Sequence, residues 1–145
     1  MSKKILILNG PNLNLLGQRE PDIYGSQTFE AFIPDLKGAY PAVEISYYQS
    51  NVEGELINAI HNAQGKADYI IINAGGYAHT SVAIADAIAA VNVPTVEVHI
   101  SNIYAREEYR HKLLIAPRCI GVISGFGLQS YRLAVDYIEG LGSRG

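Results

Sequence analysis

The chain has one cysteine and no tryptophan in 145 residues. A single thiol, Cys119, excludes an internal disulfide framework and fits a reducing compartment. Charge is also scarce: Asp, Glu, Lys and Arg make up 17% of the residues, against about 25% in an average soluble domain. The formal net charge is −3, so no basic field draws the chain to nucleic acid or anionic lipid. No apolar run reaches the roughly 20 residues of a membrane span, and no signal-peptide pattern opens the chain. These absences suggest a soluble cytoplasmic protein. No repeat, low-complexity tract or linker divides the sequence, so residues 1–145 read as a single domain able to bury its own core. Low charge beside 48% apolar residues hints that some surface is hidden in a homo-oligomer.

What is present is an alternation of short apolar runs with helical patterns. Strands are predicted at 4–8, 43–49, 69–73, 95–99 and 120–124. All but the second are near-continuous apolar runs, as in strands covered on both faces. A capping box at Ser50-Asn51-Val52-Glu53 should open a helix carrying Leu56, Ile57 and Ile60. Thr80 or Ser81 should cap another through Val82, Ile84, Ala85, Ile88 and Ala89. A last helix over about 128–138 should bury Leu133, Ala134, Tyr137 and Ile138. The first helix, about 28–39, contains Pro34 and is expected to kink or start late. A short helical turn is expected at 105–112. Strands alternating with helices imply a parallel sheet with right-handed crossovers, and the order 2-1-3-4-5 of a flavodoxin-like α/β fold. Ligands in such sheets bind beyond the carboxyl ends of the strands. That rule selects the loop after Leu8, the segment 73–80 and the segment 99–102.

Each of these segments carries candidate chemistry. The loop Asn9-Gly-Pro-Asn12 and onward to Gly25 holds Arg19 and Tyr24. Free tyrosine has a pKa of about 10, but an arginine charge ~4 Å away contributes on the order of 4 kcal/mol at an effective dielectric near 20. That is enough to lower the phenol by about two to three pKa units before desolvation opposes it, which would make Tyr24 a usable base. In Asn73-Ala-Gly-Gly-Tyr-Ala-His79, the glycines permit a tight turn and close approach of a ligand to backbone. Strand alternation places Glu97 and His99 on one face, where a carboxylate can orient the imidazole and hold it protonated as a general acid. The Ile100 and Ser101 amides can face an anionic group. Arg106 and Arg110 should share a helical face, with Glu107 and Glu108 available to pair with them. Viewed alone, each segment also reads as an ordinary loop, turn or charged surface.

No Walker loop or zinc-ligand spacing is present. Gly125-Phe-Gly127 follows the last strand and reads as the start of a helix. Asn9 and Asn73 stand where a phospho-receiver domain needs acids. A flavin- or nucleotide-binding module and an inactive homologue are the alternatives to an enzyme. Cys119 reads as a buried small hydrophobe at the start of the fifth strand.

Taken in order, the stretches NGPNLNLLGQREPDIYG, SNVEGELI, INAGGYAHTSVAIADA, VEVHISN and AREEYRHK resemble the type II 3-dehydroquinate dehydratases over most of the chain. The resemblance implies a dodecameric assembly, a tetramer of trimers. It implies dehydration of 3-dehydroquinate to 3-dehydroshikimate through an enolate, in aromatic biosynthesis or quinate catabolism, with no metal, organic cofactor or Schiff base. Tyr24 would be the base, Arg19 its activator, and Asn12 an organiser of the enolate region through a water. His99 would be the acid and Glu97 its orienting partner. Asn73 with the Ile100 and Ser101 amides would hold the carboxylate. His79 and Arg110 would meet ring hydroxyls, Arg106 would sit near the site, and Asp86 would reach a neighbouring subunit's site. Val52, Ala74, Gly76, Tyr104 and Pro34 depart from the usual pattern. None of these carries a proposed chemical role, although Ala74 and Gly76 are expected to loosen the substrate loop.

Overall fold

The computed structural model describes residues 2–18 and 27–142. Its strands are β1 (Lys3–Asn9), β2 (Val43–Gln49), β3 (Tyr69–Asn73), β4 (Thr95–His99) and β5 (Gly121–Ser124). They form one parallel sheet in the order β2-β1-β3-β4-β5, as the alternation of apolar runs predicts. The helices are α1 (Phe29–Ala39), α2 (Glu53–Ala63), α3 (Val82–Ala90) and α4 (Gln129–Gly140).

Two apolar layers cover the sheet. One packs α1 and α4 on Ile5, Ile7, Ile71, Val96 and Val98, and is rich in rings: Phe29, Phe32, Tyr69 and Tyr131. The other packs α2 and α3 on Leu8, Ile70 and Ile72, and its buried members are aliphatic, several of them alanine. Because side chains alternate along a strand, Asn9 and Asn73 belong to the ring-rich face, whereas Glu97 and His99 belong to the aliphatic face. β1 and β3 pair Asn9 opposite Asn73, so two amides end adjacent central strands.

Several local expectations are corrected. α1 begins at Phe29, capped by the Thr28 hydroxyl, which accepts from the Ala31 N–H at 3.2 Å. No late start occurs, and the helix runs on through Pro34. Pro34 and Glu30, whose carbonyl the proline leaves without its helical donor, are both exposed, so water can serve that oxygen. The capping box does not form. Val52 is the cap residue. The Ser50 hydroxyl accepts from the Val52 N–H at 2.9 Å and donates to Glu55. Glu53 instead accepts from the Ser81 hydroxyl at 2.5 Å, joining α2 to the start of α3. Ser81, not Thr80, caps α3, accepting from the Ile84 N–H at 2.9 Å. α4 buries Tyr131, Ala134, Val135 and Ile138, while Leu133 and Tyr137 are about half exposed. The predicted face of α4 was thus rotated by part of a turn.

Residues 105–112 do not make one helical turn. Two short 3-10 turns, Ile103–Ala105 and Glu108–Arg110, flank an extended Arg106. Arg106 and Arg110 therefore do not share a helical face. Cys119 lies just ahead of β5, half-buried against the aliphatic layer. Burial, with a smaller effect from the Glu97 charge, pushes its thiol up to about 12.

Candidate active site

The carboxyl ends of β1, β3 and β4 surround a cavity of about 130 Å³. Its first wall is the turn after β1, with Pro11, Asn12 and Leu13. Gly10 is needed here: a Cβ on it would lie 2.4 Å from the Ala74 carbonyl oxygen. The Gly10 N–H donates to the Asn73 carbonyl at 2.7 Å, so this loop sits directly on the one after β3. Asn12 is left-handed, at φ 71, a conformation that asparagine tolerates better than most residues. Its backbone N–H donates to Asn51 Oδ1 at 3.0 Å, and the Gln49 amide donates to the same oxygen at 3.2 Å.

The second wall comes from β3 and the 3-10 turn Gly75–His79, with Asn73, Gly75, Gly76 and His79. Ala74, beneath it, is fully buried. Asn73 Oδ1 accepts from the Gly75 N–H at 3.2 Å, and Asn73 Nδ2 donates to the Tyr131 hydroxyl at 2.9 Å. His79 Nδ1 lies 3.0 Å from the Lys112 carbonyl. A carbonyl only accepts, so Nδ1 carries a hydrogen, and in the neutral ring Nε2 is the acceptor. Burial, the largest influence, lowers the His79 pKa and favours that neutral ring.

The third wall is β4 and the segment beyond it: His99, Ile100, Ser101, Ile103, Arg106 and Arg110. His99 Nε2 is 2.5 Å from Glu97 Oε2, and both residues are buried. A carboxylate without solvent is tolerated when it is paired and hydrogen-bonded. This pair is therefore not an exposed strand end. The contact uses Nε2 and leaves Nδ1 as the ring nitrogen available for proton transfer. The rings of His79 and His99 are 5.9 Å apart. Arg106 donates to the Ser101 hydroxyl at 3.3 Å, and Arg110 donates to Glu107 at 2.7 Å. Two guanidinium groups and the histidines make this wall suited to an anion with hydroxyl groups.

Residues 3–139 match the family model described as Dehydroquinase class II. The chain belongs to the class II dehydroquinase family. A 3-dehydroquinate dehydratase from a Nostoc species is 59% identical over 134 residues, covering 91% of each chain. One from Caldicellulosiruptor bescii is 57% identical over 136 residues, covering 92% of this chain and 94% of the relative. The crystal structure of the type II dehydroquinase from Butyrivibrio crossotus superposes with a TM-score of 0.92 at 43% identity, covering 96% of this chain and 99% of the other. The flavodoxin-like fold and the hydro-lyase class thus agree with the sequence resemblance.

Within this dehydroquinase frame, the fold gathers Asn12, Asn73, His79, His99, Ile100, Ser101, Arg106 and Arg110 around one cavity, with Glu97 behind His99. Asp86 is exposed on α3 and is not part of that lining. Arg19 and Tyr24 lie outside the described residues. Sequence reasoning missed the residues that hold the lining in place. Gln49 and Asn51 brace the Asn12 turn, and Tyr131 links Asn73 to Asn9 through bonds of 2.9 and 2.8 Å. The available signal for Tyr131 was its place on the stripe of Ala134, Val135 and Ile138, which makes it an inward-facing phenol.

Proposed function

We propose that the chain dehydrates 3-dehydroquinate to 3-dehydroshikimate by trans elimination. The Tyr24 phenolate, stabilised by Arg19, removes the proton alpha to the ketone. The resulting enolate is steadied by Arg19 and by a water held at Asn12. Protonated His99, oriented by Glu97, gives its proton to the departing beta hydroxyl, which leaves as water. Return of the Tyr24 proton to solvent and reprotonation of His99 complete the cycle. Asn73 and the Ile100 and Ser101 amides receive the carboxylate, and Arg110 and neutral His79 receive ring hydroxyls. Every proton and charge has a side chain to serve it, so the scheme calls on no metal or organic cofactor.

The observation that carries this reading is the buried Glu97–His99 contact of 2.5 Å at a cavity lined by Asn73, His79, Arg106 and Arg110, in a chain of this family. A general acid needs such a partner to stay protonated and aligned near neutral pH. We extend the reading to a dodecamer, a tetramer of trimers, in the cytoplasm. Asp86 is exposed on α3 and does not line its own cavity, so the role at substrate proposed for it is at the cavity of a second copy. The exposed Ile120, Val122, Phe126, Leu133 and Tyr137 supply apolar area for such contacts.

Addition of 3-dehydroquinate to the purified protein should raise the absorbance of the conjugated enone product, with no added cofactor and no inactivation by borohydride. Tyr24→Phe should nearly abolish the rise. A variant that keeps most of the activity would remove Tyr24 as the base. A yellow protein stabilised by FMN but not by quinate-type ligands would favour a flavin-binding module instead.

A further inference from the structure

Tyr131 is a polar residue in an apolar layer. Its ring is wholly buried, 4.8 Å from the Phe29 ring and 6.1 Å from that of Phe32. A phenylalanine would fill the same space without burying a hydroxyl, and a buried hydroxyl costs free energy unless it is bonded at both ends.

Here the bonds have only one consistent direction. The Gly75 N–H can only donate, and it meets Asn73 Oδ1 at 3.2 Å. The other end of the Asn73 amide, Nδ2, therefore faces Tyr131 and donates to it at 2.9 Å. The phenol has one hydrogen, which must go to Asn9 Oδ1 at 2.8 Å. The chain runs from a backbone donor through two amides and a phenol, and it spans the ends of β1 and β3. One N–H of Asn73 is left over, on a residue that lines the cavity. Burial raises the Tyr131 pKa, the largest of its influences, so the phenol keeps its hydrogen throughout the working pH range.

We propose that Tyr131 is a positioning residue for the reaction: its hydroxyl holds the Asn73 amide so that the remaining N–H points at the substrate. This rests on the reading that Asn73 binds the substrate carboxylate. Removing the hydroxyl strands the Asn73 N–H and Asn9 Oδ1 in a buried place. The relief open to them is rotation of the Asn73 amide, which takes its donor away from the substrate. The carboxylate is present in both ground and transition states, so the loss should fall on KM rather than kcat.

The test compares wild type, Tyr131→Phe, Asn73→Ala and the double variant in steady-state turnover of 3-dehydroquinate, with thermal melting to show that each is folded. Tyr131→Phe is expected to raise KM about tenfold, the scale of one hydrogen bond to a charged group, with kcat within about twofold. The double variant should be no worse than Asn73→Ala alone, because the two residues act through one contact. A folded Tyr131→Phe protein with wild-type KM, or KM effects that multiply in the double variant, would overturn the proposal. Asn9→Leu checks it with the phenol in place. Loss of the acceptor frees the hydroxyl to turn, so KM should again rise, and an unchanged KM would count against the proposal. A crystal structure of Tyr131→Phe separates the two layers of the argument. If Asn73→Ala leaves KM untouched, the assignment of Asn73 to the carboxylate is wrong. A turned Asn73 amide in that crystal structure then still supports positioning, and an unmoved amide overturns it.

Discussion

On the face of the sheet covered by α1 and α4, the strands end in amides, Asn9 and Asn73, held by a buried tyrosine. On the face covered by α2 and α3, β4 ends in a hydrogen-bonded carboxyl and imidazole, Glu97 and His99. The first arrangement is neutral and directional, fitted to receiving a group of fixed shape. The second joins two ionisable groups in a buried setting, the pair to which the proposed function assigns proton transfer. In the proposed mechanism, one strand register thus separates binding from proton transfer, because neighbouring residues on a strand cannot face the same layer.

The strongest way to break this division is His99→Gln. Loss of a general acid should lower kcat by about 10²–10⁴-fold, with KM changed far less. Steady-state kinetics on a folded variant decide it. A rise in KM with intact kcat would make His99 a binding residue and erase the contrast with Asn73.

The next largest effect concerns the layers themselves. Phe29 meets Phe32, Tyr47 and Tyr131 with ring centroids 5.6, 4.7 and 4.8 Å apart. Phe29→Ala should cost about 3–5 kcal/mol in urea unfolding. Ile84→Val, in the aliphatic layer, should cost about 0.5–1.5 kcal/mol. The sharper comparison is catalytic. Phe29→Ala loosens the ring that carries the Tyr131 hydroxyl and should raise KM, whereas Ile84→Val should leave it alone. Equal effects on KM would show that the layers do not differ in how they support the site.

The same division explains what could be read from the sequence. Glu97 and His99 were legible because a period of two in a short apolar run places them together without further knowledge. The parallel sheet followed from short strands alternating with helices, and its order from the flavodoxin-like pattern. Tyr131 was not legible as a site residue, because an inward helical position reads as packing until the amides it meets are known. The rotated face of α4 has a similar cause: Leu133 and Tyr137 are as apolar as the buried stripe, so hydrophobicity alone does not choose between them. The capping box failed because Glu53 was taken by a long-range partner, Ser81, and Ser50 by other local partners, the Val52 N–H and the Glu55 carboxyl. Arg106 and Arg110 were correctly grouped in one region, but the turns that present them have no periodicity to read.

A smaller effect is expected from pH. The folded His79 pKa lies below its ordinary 6.5, chiefly through burial. As pH falls through about 6.5, the unfolded chain takes up a proton that the folded chain resists, so stability drops. The drop continues until pH reaches the lowered folded pKa and then levels off. Above 6.5 both states are neutral and His79 contributes nothing to the slope. Melting temperatures of wild type and His79→Gln between pH 8 and 5 should diverge only on the acid side, with the variant the flatter of the two. Parallel curves would mean that His79 is not held neutral in the folded protein.

The smallest effect is expected at the far end of the ring-rich layer. Lys3, at the start of β1, donates to the carbonyls of Ile138 at 2.8 Å and Glu139 at 3.3 Å, and also to that of Leu141. These oxygens close the last turn of α4, where a cation is favoured by the helix dipole. Lys3→Met should cost about 0.3–1 kcal/mol at low ionic strength, less in salt that screens the charge. Urea unfolding at two salt concentrations measures both. Turnover should not change, since the contact between α4 and the amides runs through Tyr131 near the helix start, about two turns from the carbonyls that Lys3 holds. A shift in KM on Lys3→Met would mean that α4 moves as a rigid rod between the two ends of the sheet, and that the amide half of the site is set by the seating of the whole helix rather than by a single hydroxyl.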